Sequence, residues 1–217
     1  MKSGRLEAFS DGVLAIIITI MVLELKVPHG AALADIAPLF PAFLSYVLSF
    51  VYVGIYWNNH HHMLYAAGTI SGGVLWANLH LLFWLSLLPV STGWMGENHF
   101  AALPTATYGI VLFCAAVAYW ILQQAIIAAA GPASKLRAAI GSDWKGKASP
   151  VLYLSAIGLS FWWPSAAQVI YVGVALIWLI PDRRIESTLA SRGERDASSP
   201  AATGPAPTRP GPAAPGR

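Results

Sequence analysis

The chain has 217 residues, of which 56% are hydrophobic and 11% charged, with a formal net charge of +3. A soluble domain carries about 25% charged residues, so this is the composition of a membrane protein; no Lys/Arg cluster is interleaved with aromatics, which excludes a nucleic-acid surface. The single cysteine, Cys114 in an apolar run, excludes a disulfide framework and a cysteine-based zinc site.

A helix needs roughly 20 apolar residues to cross a bilayer. Six stretches are read as spans: 9–27, 39–63, 70–90, 101–130, 150–163 and 166–180. The first carries Asp11 and Glu24 at its ends and lacks a small-residue cleavage site, so it is a span and not a cleaved signal peptide. Arg5, Ser10 and Asp11 stand at its entrance. Ionisable groups at membrane depth are costly, and they generally face a protein interior or a water-filled path.

At about 100° per residue, Phe9, Gly12, Ile16, Ile20 and Leu23 form one stripe of this helix, with Thr19 at its edge. Asp11, Ala15, Ile18 and Val22 lie on another face. On periodicity alone, the isoleucine stripe reads first as lipid-facing or helix-packing surface. Asp11 lies six residues from Arg5, a spacing that does not bring them together on one helix. Each therefore needs partners on another helix or at the cytoplasmic mouth.

The second span ends in Tyr56-Trp57-Asn58-Asn59-His60-His61-His62, and the third begins with Trp76, Asn78 and His80. With alternating spans, these fall at the membrane level of Arg5, Ser10 and Asp11. Amide, imidazole, indole, carboxylate and guanidinium groups at one depth can satisfy one another. Adjacent histidines on a helix point about 100° apart, so His60, His61 and His62 do not converge on one ion and no metal site is expected. Pro89, Ser91 and Thr92 read as the end of the third span. The last two stretches meet around Pro164 and are read as two spans rather than one re-entrant hairpin, because interfacial Trp and Tyr flank both.

The loop charges orient the chain. With six spans and an inner N-terminus, Lys2, Arg5, Lys135, Arg137, Lys145, Lys147, Arg183, Arg184 and the tail arginines lie inside, and Lys26 lies outside. Twelve basic residues against one place both termini in the cytoplasm of a multi-pass cell-membrane protein. Residues 1–186 form one membrane domain. From 187 to 217 Pro, Ala, Gly, Ser and Thr dominate, a composition that cannot bury a core and is expected to be disordered. There is no Gly-rich phosphate loop, nucleophile elbow or paired intramembrane carboxylate, so no enzymatic activity and no cofactor are expected.

Arg5-x-x-x-Phe9-Ser10-Asp11, followed by Ala15-Ile16, resembles the signature of the transmembrane protein 175 family, the endosomal and lysosomal potassium channels and their prokaryotic relatives. Trp57-x-Asn59-His60, Trp76-x-Asn78 and Pro89-x-Ser91-Thr92 support the resemblance, which spans about residues 4–181. It implies an all-α membrane protein with six transmembrane helices per subunit, a homotetramer in membrane lipid whose first helices line a central pore for potassium ions. Prokaryotic members carry one such repeat, as here. The resemblance maps the pore constriction to Ile16, further apolar rings to Ile20 and Leu23, and a threonine that influences selectivity to Thr19. It makes Arg5, Phe9, Ser10 and Asp11 structural and gating elements tied to Trp57, Asn59, His60, Trp76 and Asn78.

Familiar potassium channels strip the ion with carbonyls of a Thr-Val-Gly-Tyr-Gly loop, which this chain lacks. An isoleucine ring offers no ligands, so selectivity must come from incomplete dehydration, the Thr19 hydroxyls or helix dipoles, and modest discrimination against sodium is expected. The alternative is a proton-coupled small-ion transporter that uses Asp11 and the His60, His61, His62 run as a relay; broken helices or an internal repeat near the midplane would mark it.

Overall fold

The computed structural model describes residues 4–67, 70–131, 134, 136–137 and 143–179. These form helices, with no strand among the described residues: α1 (Gly4–Leu23), α2 (Phe40–Ala66), α3 (Gly72–Leu85), α4 (Leu88–Glu97), α5 (Ala102–Ala130), α6 (Trp144–Leu159) and α7 (Pro164–Leu179). Two short 3-10 turns, Leu33–Asp35 and Ala37–Leu39, lead into α2. The tail assigned to 187–217 lies outside the described residues.

Among the described residues, four segments are long and apolar enough to cross a bilayer: Gly4–Leu23, Leu33–Tyr65, Gly72–Glu97 and Ala102–Ala130. The third differs from its expected course. Pro89 lacks an N–H and sits in the first turn of α4, where that donor has no intrahelical partner. The chain therefore breaks at Ser86 and Leu87 and resumes as helix to Glu97 instead of ending near Val90. Ser91 and Thr92 are buried inside the bundle, not at its edge. The last two helices have 16 residues each, about 24 Å at 1.5 Å per residue, and form a hairpin through Ser160–Trp163. The fifth segment begins at Trp144 instead of 150, capped by the Asp143 carboxylate, which accepts the Gly146 N–H at 3.1 Å.

The centre of the bundle is α5, packed against α3, α4, α6 and α7. Its Ala115 and Ala118 are fully buried, and such small residues let backbones approach closely where burial in lipid gives no driving force. At Gly109 a methyl group would overlap the Tyr171 hydroxyl of α7. Polar side chains point inward along α2: Ser45, Ser49, Tyr52, Tyr56 and His60 are buried, whereas Phe40, Phe43, Leu44, Val47 and Phe50 are exposed. That inversion belongs to a helix whose outer face meets lipid or another apolar chain.

Candidate functional site

Helix α1 packs against α2, α3 and α4 and buries one narrow stripe: Leu6, Ser10, Leu14, Ile17 and Met21. This i, i+4, i+8, i+11 spacing covers a single helical face. About 130° round the axis lie Arg5, Phe9, Gly12, Ile16, Thr19, Ile20 and Leu23, all exposed. Ile16 is 60% and Leu23 76% exposed. The Thr19 hydroxyl donates to the Ala15 carbonyl at 2.8 Å, so its hydrogen is used within the helix and its oxygen lone pairs remain.

Near its N-terminus α1 is held by polar contacts from two other helices. The Asn78 amide N–H of α3 donates to the Ser10 hydroxyl at 3.0 Å, and Ser10 in turn donates to the Leu6 carbonyl at 2.8 Å. His60 Nε2 of α2 lies 2.6 Å from the Asn78 amide oxygen. Because Asn78 gives its N–H to Ser10 and Ser10 gives its hydrogen to Leu6, the amide oxygen is the acceptor and His60 carries its proton on Nε2. All three side chains are buried, and among the described residues no buried side-chain nitrogen or oxygen lacks a partner. One residue on, the Trp57 indole N–H donates to the Asp11 carboxylate at 3.0 Å, and the indole stacks on His61 at 6.4 Å.

The structure thus gathers Ser10, Asp11, Trp57, His60 and Asn78 at one level. It does not gather the rest of the expected cluster. Asn59 donates to the Ile55 carbonyl of its own helix at 2.8 Å. Arg5 and Trp76 are exposed and make no hydrogen bond or ion pair within the described residues. Phe9 is exposed on the Ile16 stripe. The His61 and His62 rings meet edge-on at 5.6 Å while His60 turns to Asn78, and among the described residues no group of three His, Cys, Asp or Glu side chains is placed to hold a metal ion. At the other end of α1, Lys26 pairs with Glu97 at 2.8 Å, both exposed.

A second buried polar cluster escaped the sequence reading. Ser49 Oγ lies 2.7 Å from the Thr92 hydroxyl and donates to the Tyr108 hydroxyl at 3.0 Å, tying α2 to α4 and α5. The signal was present in the 45, 49, 52, 56, 60 spacing of polar residues along α2.

Fold and site define a multi-helix integral membrane protein whose first helix is anchored by buried polar groups and leaves an apolar stripe uncovered. A family profile described as Endosomal/lysosomal potassium channel TMEM175 matches residues 5–89, the segment that holds the whole α1 anchor. The chain is 58% identical over 189 residues to a potassium channel of Chryseobacterium sp. (strain P1-3), spanning 87% of this chain and 98% of the relative. It is 32% identical over 172 residues to a potassium channel of Chamaesiphon minutus, spanning 74% and 85%. The crystal structure of a lysosomal potassium-selective channel TMEM175 homolog from Chamaesiphon minutus matches with a TM-score of 0.73 at 27% identity, covering 82% of this chain and 96% of that one. The chain belongs to the TMEM175 family.

Proposed function

We propose that this protein is a leak-type, potassium-selective channel, a homotetramer in which four α1 helices line a central pore with Ile16 at the narrowest ring. Its relatives' designation as potassium channels supports the function. The observation that carries the pore assignment is the uncovered stripe of α1, which runs from Arg5 through Ile16 to Leu23. A guanidinium on that stripe, with no partner among the described residues, is costly against lipid. It is accommodated at a water-filled mouth or by a neighbouring copy. The basic residues favour a cytoplasmic N-terminus, which puts Arg5 at the inner mouth and the Lys26–Glu97 pair at the outer one.

An isoleucine ring has no oxygen to offer a cation, so it works as a dewettable constriction. The Thr19 oxygens lie one turn further along and supply the nearest ligands in the lining. The helices' resistance to collapse onto the axis comes from the buried bond at Ser10 and the exposed Trp57–Asp11 bond beside it. The test is bilayer recording from the purified chain under potassium and sodium gradients, with Ile16→Asn as the variant. The wild type is expected to pass potassium in preference to sodium, and Ile16→Asn to move the reversal potential toward that of sodium with higher conductance. An unchanged reversal potential and conductance would remove Ile16 from the constriction, and a monomer in detergent and in lipid would remove the central pore.

A further inference from the structure

A cavity of about 40 Å³ lies within a single subunit, among α2, α5, α6 and α7 and away from the α1 stripe. Its lining includes Tyr52, Asn59, Tyr119, Tyr153 and Trp178, with Asp143 where α6 begins. Two ring pairs build its walls: Tyr119 meets Trp178 edge-on at 6.4 Å, and Tyr52 meets Tyr153 tilted at 6.4 Å. Several polar ends of the lining are used elsewhere. The Tyr52 hydroxyl donates to the Tyr171 carbonyl at 2.6 Å, the Trp178 N–H to Ser149 at 2.8 Å, and the Asn59 amide N–H to Ile55. The cavity is therefore lined by aromatic rings, tyrosine hydroxyls, the Asn59 and Gln123 carboxamides and the Asp143 carboxylate, one oxygen of which caps Gly146.

That set suits a cation with N–H groups. Aromatic faces attract cations, most strongly when desolvated; the carboxylate supplies the countercharge, and an amide oxygen accepts an N–H. A cavity needs about 10–15 Å³ on this scale to hold one water, so this one has room for a small ammonium ion. We propose that this cavity binds a small primary ammonium cation, one per subunit, admitted at the Asp143 end. The cytoplasmic location of that end rests on the orientation favoured above, whereas the site itself is independent of the pore. Its inner wall is α2, the helix whose Trp57 and His60 hold α1.

The test is calorimetric titration of the purified full-length protein with methylammonium chloride, against sodium chloride at equal ionic strength. Saturable binding of one ion per chain is expected. Asp143→Asn should weaken it about tenfold, because asparagine caps α6 as well as aspartate does and tolerates the φ of 40° found there, so the charge alone is lost. Tyr119→Leu should weaken it similarly, and Ile16→Asn should leave it unchanged. Absence of saturable binding, or equal affinity in Asp143→Asn, would overturn the proposal. So would one ion per four chains abolished by Ile16→Asn, which marks a pore site. Intact binding in a protein that passes no potassium would sink the channel reading and spare this one.

Discussion

The Trp57 indole donates to the Asp11 carboxylate at 3.0 Å, one helical turn of α2 before His60 reaches Asn78 and, through it, Ser10. Two neighbouring residues of α1 are thus gripped from different sides. Past Gly12, α1 is apolar around its circumference except for Thr19, so apolar packing alone barely discriminates one rotation about its axis from another. The polar contacts do, because turning the helix breaks both of them. They set which residues, Ile16 among them, face away from the subunit.

Removing the indole N–H while keeping a ring, Trp57→Phe, should therefore alter opening more than stability. Asp11 is exposed and regains water when the donor goes, which limits the cost to about 1 kcal/mol. Trp57→Phe and Asp11→Ala should change open probability in the same direction. The double variant should resemble either single one, and the potassium-to-sodium preference should persist. Single-channel recording checks this; independent, additive effects would show that the pair does not act as a unit.

The Ser10–Asn78–His60 chain is buried, and a buried partner left unsatisfied costs about 1–3 kcal/mol. Asn78→Leu strands the His60 N–H, so the apparent Tm in detergent should fall clearly. Ser10→Ala strands the Asn78 N–H and should lower it by less, since the bond between Asn78 and His60 remains. In Ser10→Ala/Asn78→Leu the two losses should not add, because the second substitution removes the group orphaned by the first. Thermal unfolding of the three variants measures this, and simple additivity would mean that the groups are not coupled.

The membrane level of these groups could be read from the sequence because alternating spans fix depth. Their direction round each helix could not. Depth put Arg5, Asn59 and Trp76 beside Ser10 and His60, but Asn59 turns back on its own helix, and Trp76 lies 75% exposed. The stripe of α1 was legible as a periodicity, yet its exposure depends on which face Asn78 and Trp57 capture, a long-range fact. The break at Ser86 and Leu87 is not legible locally, because proline ends a helix or begins one, and residues beyond Val90 settle which. The inward polar stripe of α2, from Ser45 to His60, is present in the sequence, but the Ser45 and Ser49 hydroxyls alone look like ordinary helix polarity.

Two glycines separate packing within the subunit from the packing between subunits that the tetrameric reading requires. At Gly96 an added methyl would stand 2.6 Å from the Ala42 Cα, a backbone atom of α2, so α2 and α4 must part. Gly96→Ala should cost about 1–3 kcal/mol. At Gly12, on the Ile16 stripe, an added methyl meets nothing within 4 Å in the subunit. Gly12→Ala should not destabilise the subunit, so under the tetrameric reading a fall in conductance or oligomer yield would report a neighbouring copy. Unfolding curves and subunit counts distinguish the two. Equal thermal destabilisation by both variants would contradict the open surface at Gly12.

The Thr19 hydroxyl is committed to the Ala15 carbonyl, which has a consequence for ion preference. Under the tetrameric reading a free hydroxyl could turn either hydrogen or lone pair to the axis, whereas this one would turn lone pairs, the end that a cation binds. Thr19→Val keeps the shape and removes the oxygen. Under the tetrameric reading it should lower the potassium-to-sodium permeability ratio toward unity while the apolar ring at Ile16 still limits conductance. Thr19→Ser restores an oxygen with the same back-bond and should retain most of the preference. Reversal potentials under bi-ionic conditions decide the matter: a Thr19→Val channel as selective as the wild type would show that discrimination arises at the isoleucine ring, through the cost of shedding water, and not at Thr19.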